Sequence, residues 1–264
     1  MKLPSTENKD KQIYFLCAMP RSGNTLFASI MNQNPKIVVT PNSITLEIMK
    51  ELFLLKNTDV YQNFPDEQSL DNVMDEVYNL YYKYWNYKVI IDRGPVCTPG
   101  NLKVMQKHFK QPIRCIVLVR DLLDVLASYI KWFETEPTAF PNQFKTLDEK
   151  LSKIMHKNGA VAKELISIKY LLQHPKMAVF IKYNDLVQNP EKELRKVYGF
   201  LNLSYYPHKF TDLDQITVNG IPYNDDIVGK NMHTIRTDKI MKLDNYYKSM
   251  IPERFVKEYG HIRF

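Results

Sequence analysis

Residues 13–26 read I-Y-F-L-C-A-M-P-R-S-G-N-T-L. The apolar run 13–18 is short, rich in β-formers and closed by a Pro-Arg-Ser-Gly turn, which predicts a buried parallel strand rather than a helix. Residues 25–33 then carry Leu26, Ile30 and Met31 at helix-compatible spacing with Ala28 and Ser29 between, and Asn34-Pro35 ends the run. Strand, tight loop and helix in that order place Gly23 just before a helix N-terminus. Backbone N–H groups converge there on an anion, helped by the positive end of the helix dipole. A nucleotide triphosphatase loop needs G-x-x-x-x-G-K-[ST]; this segment lacks the first glycine and the lysine, and Arg21 precedes its glycine instead. A plain strand-to-helix turn is the competing reading of this segment alone.

The alternation recurs outward from that stretch. Residues 89–91 lead into Asp92-Arg93-Gly94-Pro95; residues 113–119 lead into Arg120-Asp121 and an amphipathic stretch ending at Trp132; residues 177–181 lead into Tyr183-Asn184-Asp185 and a helix over about 191–201. Such a series predicts an α/β fold, a three-layer, P-loop-like parallel sheet with helices on both faces. Further helices are predicted at 44–55, 70–85 and 147–172, the last long enough to cross the whole domain. Residues 134–146, with Pro137 and Pro141, and residues 204–231 read as irregular, either substrate lids or ordinary surface excursions.

With 264 residues and 44% hydrophobic content the chain supports one sizeable core. Its formal charge of +7 suits an anionic small ligand as well as nucleic acid. The aromatics Tyr78, Tyr81, Tyr82, Tyr84 and Trp85 interleave with apolar residues like a helix packed on a sheet, which weighs against a base-stacking platform and a nucleic-acid partner. Three cysteines, Cys17, Cys97 and Cys115, form no C-x-x-C pair, which argues against a disulfide scaffold and a structural zinc site and favours a reducing cytoplasm. The polar opening M-K-L-P-S-T-E-N-K-D-K-Q is no secretory signal, and no apolar run approaches the roughly 18 residues of a membrane span.

A second candidate anion site lies in C-I-V-L-V-R-D, residues 115–121: Arg120 stands at the carboxyl end of a predicted central strand, where ligands of open α/β sheets bind, and Ser128 follows in the next helix. Together, P-R-S-G-N-T-L and V-R-D-x-x-x-V-x-x-S resemble the sulfotransferase family, which uses 3′-phosphoadenosine 5′-phosphosulfate (PAPS) and releases adenosine 3′,5′-bisphosphate (PAP). I-K-Y-N-D-L at 181–186, Asn189-Pro190 and F-L-N-L at 200–203 are similar to the family's Y-E-D-L, x-x-P and F-L-G-L run. The resemblance implies that Arg21, Ser22, Gly23, Asn24, Thr25 and Leu26 hold the 5′-phosphosulfate and that Arg120 and Ser128 hold the 3′-phosphate. It also implies a donor contact from the Tyr183 hydroxyl and a weaker one at the 5′ end from Lys242. Asn24 replaces a frequent threonine with a side chain still able to donate, and Asn184 replaces the Glu of Y-E-D-L. N-Q-N-P at 32–35 makes the bacterial and phage branch the nearest in resemblance. The expected organisation is a flexible tail at 1–12 and one sulfotransferase-like domain at 13–264, with 204–264 as a substrate or lid segment.

The implied reaction moves a sulfuryl group to a hydroxyl or amine of a small molecule, glycan or peptide, by alignment and charge stabilisation, without a metal. Arg21 is expected to face the bridging oxygen, and Arg93 to replace the catalytic lysine of a K/R-x-P setting. For the proton acceptor three residues stay open: Glu47, expected on a solvent face; Asp92, expected to orient Arg93; and His233, in N-M-H-T-I-R. His108 is expected to be solvated. Competing readings are a nucleotide kinase-like phosphotransferase, disfavoured by the missing loop lysine, and a non-catalytic nucleotide-binding module. Oligomeric state is not legible.

Overall fold

The opening apolar run is strand β1, Gln12–Ala18, and it occupies the centre of the sheet in a computed structural model that describes residues 11–136, 143–214, 217–222, 224, 233 and 245–264. Helix α1 (Asn24–Met31) returns the chain to β2 (Ile37–Asn42) at one edge; α2 (Thr45–Leu54), α3 (Asp59–Asn63) and α4 (Glu67–Tyr81) precede β3 (Val89–Arg93). Then come α5 (Pro99–His108), β4 (Cys115–Val119), α6 (Leu122–Thr135), α7 (Leu147–Met155), α8 (Ala160–Gln173), β5 (Ala178–Lys182), α9 (Tyr183–Gln188) and α10 (Pro190–Phe200). A small hairpin, β6 (Thr217–Val218) and β7 (Ile221–Pro222), and helices α11 (Asn245–Ser249) and α12 (Glu253–Tyr259) complete the described elements.

The five long strands are parallel in the order β2-β3-β1-β4-β5. Every residue of β3 and β4 is buried, so helices cover both faces, which is why these strands read as continuous apolar runs. The order reverses at β1, and the crevice at its carboxyl end is the ligand position of such sheets. Register pairs Ala18 with Leu118 and Val119 with Lys182, so the chain leaves β1, β4 and β5 at one level.

Several expectations change. Residues 147–172 are two helices, not one. Thr146 and Glu149 form a reciprocal capping box at the start of α7, and His156 leaves helical geometry. Gly159 sits so close to the carbonyl oxygen of Ile154 that a Cβ there would lie 2.4 Å away. Strand β2 was absent from the sequence reading. Helix α4 begins earlier than the periodicity predicts because the Asp66 side chain accepts from Ser69 N–H and caps it. The N-Q-N-P run has a structural explanation: Asn32 Oδ1 accepts from Val39 N–H (2.7 Å), Gln33 pairs twice with the Lys209 backbone (2.8 and 2.7 Å), and Asn34 donates to the Tyr198 hydroxyl (3.1 Å). These bonds tie the end of α1 to β2, to the chain after α10, and to α10 itself. Tail residues 1–10 and much of the segment 204–264 lie outside the described residues. Among the described residues no helix is long and apolar enough to cross a membrane.

Candidate functional site

The loop between β1 and α1 is shaped by two left-handed residues, Arg21 (φ 68) and Gly23 (φ 93). Left-handed backbone is natural for glycine and costs a residue with a side chain about 1 kcal/mol or more, so Arg21 is held there by its surroundings. Gly23 is the N-cap of α1 and no side chain caps that helix; its first turn also carries no acidic residue. The N–H groups of that turn are therefore left for an external anion. Ser22 is fully buried with its Oγ unpartnered. Asn24 departs from expectation: its Nδ2 donates to Met19 O (3.2 Å), bracing the loop from inside, so what it offers an anion is its backbone N–H.

Segments distant in sequence close over this loop. Arg21 Nε donates to Ser128 Oγ on α6 at 3.0 Å. Arg120 Nη1 donates to the Arg21 carbonyl at 2.8 Å across 99 positions of chain. The Arg120 guanidinium lies 4.4 Å above the Tyr183 ring, and the Cδ2–Cε2 edge of that ring packs where a Cβ on Gly23 would come within 2.8 Å. Arg120 Nε is buried without a partner, and no carboxylate among the described residues lies within ion-pair distance of the guanidinium. Burial lowers its pKa from the usual value, against smaller opposing effects of Tyr183, Asp124 and Asp121; a guanidinium stays charged nonetheless. A cavity of about 200 Å³ adjoins it, lined among others by Asp121, Lys182, Tyr183 and Arg263. Lys182 and Arg263 were not singled out in the sequence.

Arg93 ends β3 and is 7% exposed, with Nε buried and unpartnered. Tyr129 lies within electrostatic reach of both Arg93 and Arg21; burial pushes its phenol up to about 12, and the two cations pull the other way. Glu164 on α8, missed by sequence reading, is buried behind the loop. Burial and Cys17 drive its pKa well above the carboxylate range, against Arg93 and the Ala18 N–H, and its Oε2 has no partner.

The structure thus brings together Arg21 to Leu26, Arg93, Arg120, Ser128 and Tyr183. It does not bring Glu47, which is exposed and paired with Lys50 at 3.4 Å. His233 is half-buried with both sequence neighbours outside the described residues, and Lys242 lies outside them too. Asp92 does not orient Arg93: successive strand residues face opposite ways, and its oxygens are taken by Thr40 Oγ1 (3.0 Å) and Thr45 Oγ1 (2.5 Å). His108 is not solvated; it is 1% exposed, with Nδ1 at 2.9 Å from Asp75.

Residues 11–219 match the family model of the sulfotransferase domain. A Caenorhabditis briggsae protein bearing the name "Putative protein-tyrosine sulfotransferase" is 23% identical over 201 residues, 74% of this chain and 67% of its own length. The sulfotransferase domain from the curacin biosynthetic pathway superposes with a TM-score of 0.53 at 18% identity, covering 96% of this chain and 98% of that one. Retinol dehydratase in complex with androsterone and inactive cofactor PAP gives 0.50 at 12% identity, covering 96% and 82%. These two likenesses show the shared fold.

Proposed function

The chain belongs to the sulfotransferase family, and from that premise we propose that it moves a sulfuryl group from PAPS to a hydroxyl or amine of a small molecule, glycan or peptide. The observation that carries the donor assignment is the single cluster in which Arg21, Ser128, Arg120, Tyr183 and Gly23 meet. The donor is anionic at both ends, and the cluster offers what such a ligand takes up: an uncapped helix start, a buried Ser22 hydroxyl and an Arg120 guanidinium without an acid partner. The loop N–H groups of residues 23–26 and the Ser22 hydroxyl would hold the phosphosulfate, and Arg120 with Ser128 the 3′-phosphate, with Lys182 and Arg263 adding positive charge to the adjoining cavity. Tyr183 holds Arg120 in place through its ring face, and its hydroxyl is offered to the donor.

Bound donor supplies an activated sulfuryl group. The chain's own part is to align it, to exclude water and to stabilise charge on the leaving oxygen. Arg21 takes that last role with Arg93 beside it, Arg21 exchanging its Ser128 contact for the donor. Lys242 keeps the secondary role that the resemblance implies at the 5′ end, and His233 stays one of the residues the sequence offers as proton acceptor, beside Asp92. A single domain from residue 13, with 204–264 shaping the acceptor side, fits this division, and three cysteines without a pairing pattern support a cytoplasmic setting. The bacterial and phage branch rests on the N-Q-N-P run.

The test is thermal unfolding with PAP against AMP, which lacks the second phosphate. PAP is expected to raise Tm markedly more than AMP; equal shifts would contradict the 3′-phosphate site at Arg120. Protection by ATP with magnesium but not by PAP would revive the phosphotransferase reading.

A further inference from the structure

Asp92 sits one residue from the end of β3, 1% exposed, with hydroxyl groups rather than a cation on its carboxylate. Thr45 Oγ1, also buried, donates to Asp92 Oδ2 at 2.5 Å. Ser43 Oγ lies 2.5 Å from that same Thr45 Oγ1, and because the Thr45 proton is committed to Asp92, Ser43 is the donor of this pair. Ser43 is only partly buried, and its N–H points to the Arg93 carbonyl at 3.4 Å, so the chain of hydroxyls opens at the carboxyl edge of the sheet beside Arg93. The buried Tyr82 hydroxyl donates to Ser43 Oγ at 3.2 Å, the longest contact that oxygen makes, against 3.0 Å from Thr45 N–H.

We infer that the acceptor's proton leaves through Ser43 and Thr45 to the buried carboxylate of Asp92. This rests on the sulfuryl-transfer reading above. The acceptor O–H bond breaks and its proton passes to Ser43 Oγ; the Ser43 proton passes to Thr45 Oγ1, and the Thr45 proton to Asp92 Oδ2. The acceptor oxygen forms the new bond to sulfur, and the bridging oxygen leaves on the nucleotide with the electron pair of the broken S–O bond. Ser43 touches the acceptor; Thr45 and Asp92 act through it.

The chemistry of the site suits this direction of flow. Burial raises the Asp92 pKa above the usual carboxylate value, and the hydroxyls of Thr45, Tyr82, Thr40 and Ser43 oppose it incompletely. The groups facing it are those hydroxyls and the phenols of Tyr78 and Tyr81 from α4; no lysine, arginine or histidine figures among its main influences. A proton delivered to that carboxylate meets no cation among those influences that would expel it.

The proposal is tested in two measurements. Infrared titration in the Glu164→Gln background, which removes the other buried carboxyl, should show a protonated carboxyl persisting above the ordinary carboxylate range and missing once Asp92→Asn is added. Single turnover of radiolabelled PAPS is followed with 2-naphthol and with water as acceptors. Asp92→Asn and Thr45→Val are expected to slow sulfuryl release about 100-fold or more and to flatten its rise with pH, while Thr45→Ser, which keeps the hydroxyl, restores both. PAP-induced thermal shifts should match the wild type in all three variants. Absence of the infrared band, or Thr45→Val with an unchanged rate and pH profile, overturns the relay. A wild type that neither binds PAP nor releases sulfate overturns the sulfotransfer reading, while the infrared band still decides the state of Asp92.

Discussion

Gly23→Ala tests the local geometry on which the site depends. Gly23 has φ 93, and an added methyl would lie 2.8 Å from Cδ2 and 3.1 Å from Cε2 of Tyr183. Left-handed backbone at an alanine costs about 1–2 kcal/mol. The short contact adds an overpacking cost of about 1–3 kcal/mol, because the ring cannot retreat without leaving the Arg120 guanidinium 4.4 Å above it. The expected loss is therefore about 2–5 kcal/mol, read as a lowered urea midpoint at unchanged m-value. In a Tyr183→Ala background only the backbone part should remain, so the same substitution should cost about 1–2 kcal/mol there. Additivity of the two changes within about 0.5 kcal/mol would refute the packing of Tyr183 on Gly23, since independent sites add to that tolerance.

Arg120→Ala should weaken PAP binding by about 1.5–3 kcal/mol, the range of a charged hydrogen bond, without unfolding the chain; isothermal titration giving an unchanged affinity would remove the assignment. Glu164→Gln should make thermal stability less sensitive to alkali. The folded-state pKa of Glu164 is raised, so its contribution is whole below the unfolded value near 4.5 and is lost as pH rises towards the folded one. The Tm advantage of the glutamine variant should therefore grow with pH above that point, and a pH-independent difference would show that the carboxyl is not buried as described. Gly159→Ala should destabilise by about 1–3 kcal/mol, because its methyl would meet the Ile154 and Lys153 carbonyl oxygens at 2.4 and 2.5 Å, and backbone cannot yield as a side chain does. A melting temperature equal to the wild type would contradict the tight turn between α7 and α8.

What the sequence made legible were local signals. Residues 13–18 are apolar because both sheet faces are covered, and Gly23 is the residue that a left-handed N-cap favours. The turn at Asn158-Gly159 was also local, but apolar periodicity continues on both sides and hides it, so two helices read as one. The remaining misses are tertiary. His108 looks solvated at a helix end and is buried only because Asp71 and Asp75 of α4 come to it. Asp92 looks like the partner of its neighbour Arg93 until Thr40 and Thr45, 52 and 47 positions away, take its oxygens. Glu164 carried a readable mark that went unused: it shares the helical face of Val161, Leu165 and Ile168, and an acid on an apolar stripe has to be buried or paired.

The largest difference concerns how the two anion-reading segments relate. The sequence suggests separate positive cups, one at each end of a nucleotide, with Arg21 in one and Arg120 in the other. In the structure Arg21 reaches Ser128 while Arg120 holds the Arg21 carbonyl, and the ring of contacts closes through Tyr183 and Gly23. Sheet register is the physical cause: Ala18 stands level with Leu118, and Val119 with Lys182, so the loops after three adjacent parallel strands emerge side by side. Residues far apart in sequence are thereby held within one hydrogen bond of each other. It follows that a change at Tyr183 or Arg120 acts on the loop at Gly23 as well, and the two ends of the site respond as one unit.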